Sequence, residues 1–288
     1  MVRKGILLAG GLGTRLYPAT LTVSKQLLPV YDKPLVYYPL STLIDAGIRE
    51  ILVVTTPKDL PAFRHLLGDG SRWGLDLSYC AQPKPGGIAQ SLLLGKEFLD
   101  GKPSALILGD NLFYGHGFKK SLMAADKKTE GATVFAYRVS NPERYGVVGF
   151  DKEGLPLSIE EKPERPKSKY VVTGLYFYDG TASHVAESLK PSGRGELEIT
   201  DVNRAYLERK QLNVEKLSRG FAWLDAGTKE SFLDATAFVA AVEKRQGLKI
   251  GSPEEAAYRA GFVSAEQLLK LASRYDNEYG SYLRSIAD

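Results

Sequence analysis

A glycine-rich segment near the N-terminus is the first part of the sequence with residue types suited to chemistry. Gly10-Gly11-Leu12-Gly13-Thr14-Arg15 follows an apolar run, Gly5-Ile6-Leu7-Leu8-Ala9, that is typical of a buried strand. Glycines let backbone N–H groups approach an anion closely, and they tolerate the backbone angles that such a loop requires. The segment therefore predicts a phosphate-binding loop. It is not a dinucleotide fingerprint, which needs glycine where Leu16 stands, and it has no Walker Gly-Lys-Ser/Thr in register.

Two cations follow the glycine loop. Arg15 opens the stretch Arg15-Leu16-Tyr17-Pro18-Ala19-Thr20, and Lys25 lies in Ser24-Lys25-Gln26-Leu27-Leu28-Pro29-Val30. One interpretation is that both are solvated surface side chains, which would make the surrounding pattern of glycine, proline and threonine incidental. The other is that they flank a proline-constrained segment at a sheet edge and neutralise a bound phosphate. We favour the second interpretation.

Two aspartates could bind a metal ion. Asp110 in Leu108-Gly109-Asp110-Asn111 and Asp225 in Trp223-Leu224-Asp225-Ala226-Gly227 both follow apolar runs. Strand ends of this kind are where α/β folds bind their ligands. Either aspartate alone is more often a cap or a turn residue than a metal ligand. Each is nevertheless a candidate ligand for Mg²⁺, which prefers a few carboxylates together with phosphate oxygens.

Polar residues in three other places could read a substrate. Gln82 and Gln26 are candidates for a pyrimidine base, because an amide matches its edge of donors and acceptors. Glu160-Glu161-Lys162-Pro163 is a charged strand end that could equally be a solvent-facing turn. None of the three histidines, His65, His116 and His184, lies in these segments.

The elements that must position these residues change character along the chain. Short apolar runs alternate with helical patterns at first, which indicates parallel strands covered by helices. Predicted strands are 5–9, 48–55, 75–80 and 104–108, and predicted helices are 34–46, 60–67 and 88–98. Closely spaced strands follow at 132–139, 146–151, 156–160 and 170–178, with helices at 199–209, 228–245, 253–260 and 264–274. We expect an α/β core at 1–227 and a C-terminal helical segment at 228–288.

Composition excludes several classes of protein. The 288 residues carry 38 basic and 34 acidic side chains, a net charge of +4 without a basic stripe, so we expect no nucleic-acid partner. The single cysteine, Cys80, forms no intramolecular disulfide, and we expect it to be a small buried residue. No signal-peptide pattern begins the chain, and no apolar run approaches the ~20 residues that span a bilayer. We expect a cytoplasmic enzyme without a membrane partner.

The glycine loop and its continuation resemble a known family. Gly10-Gly11-x-Gly13-Thr14-Arg15-Leu16, followed by Lys25 and Leu28-Pro29, resembles the signature of the sugar-phosphate nucleotidyltransferases. The stretch 26–41, QLLPVYDKPLVYYPLS, is similar to the thymidylyltransferase branch in particular. The resemblance covers essentially the whole chain, including 140–148 and 194–207. It implies a Rossmann-like mixed sheet as the nucleotidyltransferase core, with an added β-rich part that binds the sugar.

The reaction that the resemblance implies is Mg²⁺-dependent transfer of the dTMP unit of dTTP to α-D-glucose 1-phosphate. The products would be dTDP-glucose and pyrophosphate. An NAD-dependent oxidoreductase is one alternative, although Leu16 replaces the glycine that it needs. Another is a regulatory subunit that binds sugar nucleotides without turnover, but such a protein should have lost Arg15, Lys25, Lys162 or an aspartate, and all are present.

The resemblance also implies roles for individual residues. The catalytic residues would be Arg15, Lys25, Lys162 and Asp110, and the metal ligands would be Asp110 and Asp225. The nucleotide would contact Leu8, Gly10, Gly11, Gly13, Thr14, Arg15, Gln26, Gln82 and Gly87. The sugar phosphate would contact Asn111, Gly146, Glu161, Lys162, Val172, Tyr176 and Arg194. In the base-binding loop, Gln82-Pro83-Lys84-Pro85-Gly86-Gly87, the sequence departs from the family at Gly86, where relatives carry an acidic residue.

The helical segment after Gly227 adds nothing obvious to the chemistry. It could simply pack on its own core. The resemblance implies instead a homotetramer with a second nucleotide-sugar site near subunit contacts, where dTDP-rhamnose, an end product of the pathway, would inhibit. Gly115, His116, Arg219, Glu255 and Arg259 would line that allosteric site. Arginines there would suit a diphosphate, because guanidinium groups bind phosphate oxygens in pairs.

Overall fold

The structure is a computed structural model that describes residues 2–287. Its strands are β1 (Lys4–Ala9), β2 (Pro29–Val30), β3 (Lys33–Pro34), β4 (Glu50–Thr55), β5 (Asp76–Ala81), β6 (Ser104–Leu108), β7 (Asn111–Tyr114), β8 (Ala132–Arg138), β9 (Gly146–Phe150), β10 (Pro156–Glu161), β11 (Tyr170–Tyr178), β12 (Leu212–Lys216) and β13 (Ala222–Asp225). Its α-helices are α1 (Tyr37–Asp45), α2 (Leu60–Leu67), α3 (Gln90–Leu94), α4 (Lys96–Leu99), α5 (Phe118–Asp126), α6 (Ala182–Glu187), α7 (Ile199–Glu208), α8 (Lys229–Gln246), α9 (Pro253–Arg259), α10 (Ala265–Ala272) and α11 (Glu278–Ser285).

Four parallel strands form one half of a nine-stranded sheet, in the spatial order β6-β1-β4-β5. All of β1 is buried, because its side chains enter hydrophobic clusters on both faces of the sheet. Leu7 and Ala9 pack on the side of α1 and α2, whereas Ile6 and Leu8 pack on the side of α3. The chain order reverses between β1 and β6, and open α/β sheets bind their ligands at the strand ends beside such a reversal.

The other half of the sheet is mostly antiparallel, as the β-rich second half of the sequence predicts. Strand β11 pairs with β6 and β8, and β9 and β10 form a hairpin at the edge. The register between β11 and β8 shifts between Val172 and Tyr176. Gly174 lies inside this irregularity. A residue with a side chain does not fit there, because a methyl group would lie 2.7 Å from the Asn111 amide. The irregularity thus brings β11 against the segment that follows β6.

A small second sheet joins two parts of the chain that are distant in sequence. Strands β7 and β13 are antiparallel, and their register pairs Asn111 with Asp225. Ala226 N also donates to Asp110 O at 2.9 Å. Sequence patterns did not predict either strand, because four residues are too few to show a periodicity. This pairing places the two aspartates beside each other.

The predicted helix at 88–98 is wrong as a single element. It is two short helices, α3 and α4, interrupted at Gly95. A methyl group at Gly95 would lie 3.0 Å from Ile6 Cδ1, so the glycine allows the chain to approach β1 closely. Glycine is also a poor residue for a helix interior. The close contact with the sheet and the break in the helix have the same cause.

Two of the C-terminal helices, α8 and α10, begin at side-chain caps. Thr228 and Ser231 cap α8 reciprocally, and Ser264 and Gln267 do the same for α10. Helix α8 contributes Ala235 and Val239 to a cluster that includes residues of β2 and β7. Helix α9 packs on α1, and α10 and α11 share a small cluster of their own. Within residues 2–287, no helix is long and apolar enough to cross a membrane.

Candidate active site

Two clefts open at the sheet edge where the order of the parallel strands reverses. The first, of about 350 Å³, is lined by the glycine segment and the loop after β5, and we call it the glycine-loop cleft. Its lining includes Gly10, Gly11, Leu12, Thr20, Lys58, Gln82 and Pro85. The second, of about 210 Å³, contains both aspartates, and we call it the aspartate cleft. Its lining includes Arg15, Asp110, Asn111, Gly146, Glu161, Lys162, Val172, Tyr176 and Asp225.

The glycine segment turns away from β1 as a tight loop. Gly13 has a φ of 60°, in the left-handed region, and Thr20 Oγ1 donates to its carbonyl oxygen at 2.7 Å. Thr14–Leu16 then forms one 3₁₀ turn, which buries Leu16 and places Arg15 in the lining of the aspartate cleft. The guanidinium lies beside Gly227, where a methyl group would be 3.5 Å from Nη2. Arg15 thus extends from the glycine segment to the cleft that contains the aspartates.

Lys25 forms an ion pair with Asp110, although Lys25 itself is outside the lining of the aspartate cleft. Lys25 begins the 3₁₀ turn Lys25–Leu27, and its Nζ donates to Asp110 Oδ2. Burial raises the pKa of Asp110, but the charge and hydrogen bond of Lys25 outweigh burial, with a further hydrogen bond from Asn111 Nδ2 at 2.9 Å. The pKa of Asp110 therefore lies below its ordinary value. Lys25 keeps charged a carboxylate that burial alone would neutralise.

Asp225, at the end of β13, has the opposite electrostatic environment. Burial raises its pKa, and the negative charge of Asp110 raises the pKa further. A hydrogen bond from Tyr145 Oη, at 3.2 Å, offsets part of this effect without reversing it. The pKa of Asp225 therefore lies above its ordinary value, in the opposite direction to that of Asp110.

The two carboxylates fit a hard divalent cation. Such a cation would supply positive charge between Asp110 and Asp225. In the part of the chain that the structure describes, no three or more histidine, cysteine, aspartate or glutamate side chains gather into a metal site. Two carboxylates suffice where the remaining ligands are phosphate oxygens and water. This donor set is typical of a metal that binds together with its phosphate substrate.

Asn111 holds the site together rather than offering free polar atoms. Its Oδ1 accepts from Trp223 Nε1 at 2.6 Å and from Gly174 N at 3.1 Å, and its Nδ2 donates to Asp110. The residue is almost fully buried. Sequence reasoning predicted a sugar contact at Asn111, and the residue does line the aspartate cleft. Its hydrogen bonds connect β7, β11 and β13 behind that cleft.

Glu161 and Lys162 lie on one wall of the aspartate cleft, at the end of β10. Glu161 Oε2 accepts from Thr200 Oγ1 at 2.6 Å, and its Oε1 lies 3.6 Å from Lys162 Nζ. Lys162 has a φ of 42°, which is rare for a residue with a side chain and is found most often at functional sites. A hydrogen bond of 3.0 Å from its N–H to Tyr145 O holds this backbone. The loop is therefore shaped to direct the Lys162 side chain.

Arg194 stands behind Glu161 instead of lining the cleft. Its Nη2 donates to both oxygens of Glu198 at 2.9 Å and lies 3.4 Å from Glu161 Oε1. Burial lowers the pKa of Arg194, but the hydrogen bond and charge of Glu198 outweigh it and raise the pKa above the ordinary value. In this structure the predicted sugar-phosphate contact at Arg194 is occupied by an ion pair within the chain.

Three of the residues predicted to contact the nucleotide, Gln82, Gln26 and Leu8, lie near the glycine-loop cleft in different settings. Gln82 lines the cleft, and its Nε2 donates to Gln90 Oε1 at 2.7 Å. Gln26 is buried outside the lining, and its Oε1 accepts from Ser24 Oγ at 2.6 Å. Leu8 is a buried core residue of β1. Of these three residues, Gln82 is the one that the structure presents to the cleft.

Gly87 is required by packing within the chain. It has a φ of 92°, and a methyl group on it would collide with the backbone of Leu197. Two hydrogen bonds join the same segments, from Leu197 N to Gly86 O at 2.9 Å and from Ala89 N to Leu197 O at 3.2 Å. Gly87 lies between Pro85, in one cleft, and Ile88, in the other. Gly87 thus allows the loop between the two clefts to pack closely against Leu197.

A third cleft, of about 320 Å³, contains three of the five residues predicted for an allosteric site. Gly115, Glu255 and Arg259 line it, together with Lys119 and Lys249. His116 is outside this lining, and Arg219 lies in another cleft, beside Arg138 and Tyr170. Within one chain, Arg219 therefore lies apart from the other cation of the predicted site, Arg259, and the predicted allosteric site near subunit contacts stays a prediction.

Several residues that line the aspartate cleft were not predicted from the sequence, and three of them donate hydrogen bonds to predicted residues. Tyr145, Thr200 and Trp223 line it and donate to Asp225, Glu161 and Asn111, respectively. Each stands in a segment that carried part of the family resemblance or a predicted ligand, namely 140–148, 194–207 and 223–228. Proximity to those motifs was the available signal.

Comparisons with known proteins agree with this geometry. The family model described as nucleotidyl transferase matches residues 4–242. A glucose-1-phosphate thymidylyltransferase of Mycolicibacterium smegmatis is 59% identical over 286 residues, covering 99% of both chains. One from Xanthomonas campestris pv. campestris is 57% identical and covers 99% of this chain and 97% of its own. A Bacillus anthracis chain, described as a candidate glucose-1-phosphate thymidylyltransferase and crystallised with sucrose, is 40% identical with a TM-score of 0.77, covering 82% of this chain and 95% of its own.

These matches confirm both the resemblance and the fold class that it implied. The family model spans the glycine loop, both aspartates and the β-rich part of the sheet. The curated relatives also align with the C-terminal helices beyond it. The chain therefore belongs to the nucleotidyl transferase family, in its group of glucose-1-phosphate thymidylyltransferases.

Proposed function

We propose that this enzyme transfers the dTMP unit of dTTP to α-D-glucose 1-phosphate, with release of pyrophosphate and formation of dTDP-glucose. One observation carries the proposal: a phosphate loop and a carboxylate pair lie at the same sheet edge, with Arg15 between them. The glycine-loop cleft would hold the nucleotide, and the aspartate cleft would hold the sugar phosphate. The α-phosphorus would then lie near Arg15 and the two aspartates.

The reaction is a single in-line displacement. A phosphate oxygen of glucose 1-phosphate attacks the α-phosphorus of dTTP, and pyrophosphate leaves toward the glycine loop and Arg15. Because a sugar phosphate is already ionised at pH 7, the reaction needs no general base. Catalysis then consists of holding the reactants in line and neutralising developing charge. Arg15, Lys25 and Lys162 supply three positive charges for this purpose.

Asp110 and Asp225 would hold Mg²⁺. Bound there, Mg²⁺ would neutralise phosphate charge and make the α-phosphorus more electrophilic. The chain prepares the two ligands differently. Lys25 keeps Asp110 ionised, and Tyr145 orients Asp225. The pKa of Asp225 is raised, and a bound cation would favour its ionised form.

Recognition of the hexose would depend on the opposite wall of the aspartate cleft. Glu161 would accept hydrogen bonds from sugar hydroxyls, since Thr200 fixes one of its oxygens and leaves the other close to Lys162. Lys162 would contact the phosphate of the sugar. Gly146, Val172 and Tyr176 line the remaining space beside the ring. Arg194 would take part by holding Glu161 directly while Glu198 holds Arg194, or by exchanging these partners for the phosphate.

A substrate panel tests the proposal. Five nucleotides, dTTP, UTP, dCTP, dATP and dGTP, are each combined with glucose 1-phosphate, galactose 1-phosphate or mannose 1-phosphate, and pyrophosphate release is measured. We expect the highest kcat/KM for dTTP with glucose 1-phosphate, and no release when the divalent cation is removed with EDTA. A preference for another pair, or release without a cation, would overturn the assignment.

We further propose that residues 228–288 form an assembly and regulatory segment. The third cleft lies between α1, β7 and α9, and it carries Lys119, Lys249 and Arg259, which suit a diphosphate. In this proposal the enzyme is a homotetramer that catalyses the first step toward dTDP-rhamnose or a related deoxysugar. dTDP-rhamnose would bind the third cleft and inhibit through coupling to the active site.

A further inference from the structure

A hydrogen bond to Gln90 sets the orientation of the Gln82 amide at the glycine-loop cleft. Its backbone N–H donates to Thr55 O at 2.7 Å, which holds the residue at the end of β5. Its side-chain Nε2 donates to Gln90 Oε1 at 2.7 Å, so the amino group is turned away toward α3. Its Oε1 lies over Gly10, where a methyl group would be 2.6 Å away. The carbonyl oxygen is therefore the atom that Gln82 presents beside the glycine loop.

Gly86 supplies the space in which Gln90 reaches Gln82. A methyl group on Gly86 would lie less than 3.0 Å from the oxygen, carbon and nitrogen of the Gln90 amide. Gly86 does not need to be glycine for its backbone, because it is absent from the residues with positive φ. A side chain at position 86 would instead displace the flexible end of Gln90. The absence of a side chain at position 86 and the hydrogen bond from Gln82 to Gln90 are thus linked.

An amide held in one orientation discriminates between bases. Thymine and uracil carry an N–H at ring position 3, which an amide oxygen accepts, whereas cytosine has a lone pair there. Gln82 could turn its amino group toward cytosine only by giving up the bond to Gln90 or by making Gln90 turn as well. If cytosine binds while Gln82 keeps its orientation, Gln82 Oε1 faces the lone pair of the cytosine ring nitrogen. This contact is unfavourable, because two acceptors meet and neither has a donor.

We propose that Gln90, in the space that Gly86 leaves, is a positioning residue that sets the Gln82 amide and thereby selects bases with a ring N–H over cytosine. Gln90 acts through Gln82 and does not touch the reacting atoms. The inference rests on the proposed function, since it assigns the base of the nucleotide to the side of the glycine-loop cleft where Gln82 lies.

Four variants test the role of Gln90. Gln90→Met keeps the length of the side chain and removes its amide, and Gly86→Ala displaces the amide without changing its chemistry. Gln90→Glu keeps an acceptor and cannot donate at pH 7.5, so Gln82 stays turned as it is. Gln82→Ala is the positive control. For each variant, kcat/KM is measured with dTTP, UTP and dCTP at saturating glucose 1-phosphate, together with the KM for the sugar phosphate.

We expect the ratio of kcat/KM for dTTP over dCTP to fall by about tenfold or more in Gln90→Met and Gly86→Ala. Gln90→Glu should keep or increase the wild-type ratio. The ratio of dTTP to UTP should not change, because both bases present the same edge to Gln82. The KM for glucose 1-phosphate should also stay constant.

The inference is overturned if Gln90→Met and Gly86→Ala keep the wild-type ratio of dTTP to dCTP, or if Gln90→Glu loses it as Gln90→Met does. The second result would mean that the shape of Gln90 matters and its acceptor does not. A wild-type enzyme with no preference for dTTP over dCTP would instead contradict the proposed function. The two failures are therefore distinguishable.

Discussion

The side chains of the aspartate cleft divide into those that carry charge and those that hold charged groups in place. Asp110, Asp225, Arg15 and Lys162 carry charge that a phosphate or a cation can meet. The side chain of Asn111 instead forms hydrogen bonds with Asp110, Gly174 and Trp223 and so connects these neighbours. Because buried polar groups are costly unless they are paired, such a network fixes the charged groups in one arrangement.

Replacement of either aspartate should remove activity. We expect Asp110→Asn and Asp225→Asn to lower kcat by more than about a hundredfold, because a bound cation is worth several kcal/mol at a phosphoryl transition state. Asp151→Asn, in the turn after β9, is the control and should change kcat little. Turnover is followed by pyrophosphate release over a range of Mg²⁺ concentrations. Wild-type Mg²⁺ dependence in both cleft variants would refute the metal assignment.

The same two substitutions should change stability in opposite directions when no divalent cation is present. Asp110→Asn should lower the free energy of unfolding by about 2 kcal/mol, because Lys25 loses its partner. Asp225→Asn should raise it, since burial and Asp110 disfavour the charge that the substitution removes. We expect both effects at pH 7, measured as Tm in EDTA.

The pH dependence follows from the two pKa shifts. The lowered pKa of Asp110 contributes stability that is present above the ordinary carboxyl range and is lost as pH falls through the folded value. The raised pKa of Asp225 makes its ionised form a cost, and that cost disappears as pH falls through its folded value. The gain in Asp225→Asn should therefore shrink on acidification toward pH 4. Shifts of the same sign in both variants would contradict this account.

Arg15 and Lys162 should separate kinetically. Arg15→Ala should lower kcat by around 10³-fold, as for other arginines that stabilise phosphoryl transition states. Lys162→Ala should mainly raise the KM for glucose 1-phosphate. Steady-state kinetics with each substrate varied in turn distinguish the two effects. If Arg15→Ala changes only the KM for dTTP, Arg15 binds the ground state and its proposed role is wrong.

At the scale of elements, a buried ion network ties the hairpin of β2 and β3 to helix α8. Glu243 accepts from Lys33 Nζ at 2.8 Å, from Lys249 Nζ at 2.9 Å and from Ile250 N at 2.8 Å. The side chains of Lys33 and Glu243 are only 3% and 2% exposed. Because the hairpin follows the Lys25 turn directly, this network also steadies the segment that carries Lys25.

Loss of Glu243 should be strongly destabilising. We expect Glu243→Ala to lower the free energy of unfolding by about 3 kcal/mol, because two ammonium groups lose a buried acidic partner and then share Asp32. Glu187→Ala is the control: its pair with Lys96 is exposed, and such pairs contribute little. Urea denaturation measures both. Equal changes in the two variants would show that burial of the network is unimportant.

At the scale of the whole molecule, the C-terminal helices form one wall of the third cleft, which lies away from the sheet edge with the aspartates. Helix α9 packs on α1, and its Glu255 pairs with Arg259 at 2.7 Å and accepts from Tyr282 Oη at 2.6 Å. Burial raises the pKa of Glu255, although the hydrogen bond from Tyr282 and the charge of Arg259 oppose it. Arg259 is more than half exposed at the third cleft. A diphosphate there would compete with Glu255 for the guanidinium.

Feedback inhibition should depend on Arg259. We expect Arg259→Ala to weaken inhibition by dTDP-rhamnose by tenfold or more, at about 1–3 kcal/mol of coupling, and to leave uninhibited kcat almost unchanged. Lys270→Ala, which removes an exposed charge of α10, should be inhibited like the wild type. Analytical ultracentrifugation should show a tetramer. Unchanged inhibition of Arg259→Ala, or a monomer at every concentration, would contradict the regulatory proposal.

The sequence by itself determined the kind of sheet and the family, and it predicted most of the charged residues that line the aspartate cleft. These follow from local information: the periodicity of apolar runs predicts strands such as β6 and β11, and glycine loops and helix caps such as Thr228 are encoded by adjacent residues. The predicted bounds of α2, β6 and β11 agree with the structure residue for residue. Short strands such as β7 and β13 were not predicted, because they form only through pairing between segments that are distant in sequence.

Only the tertiary structure decided which residues share a site and what each side chain is free to do. It placed Asp225 beside Asp110 through β7 and β13, turned Arg194 toward Glu198, and moved Arg219 away from Arg259. It also showed why position 86 has no side chain: the Gln90 amide, four residues later, occupies that space. A hydrogen bond or an ion pair depends on distances between segments that are far apart in sequence. Residue type states what chemistry is available, and packing selects the partner.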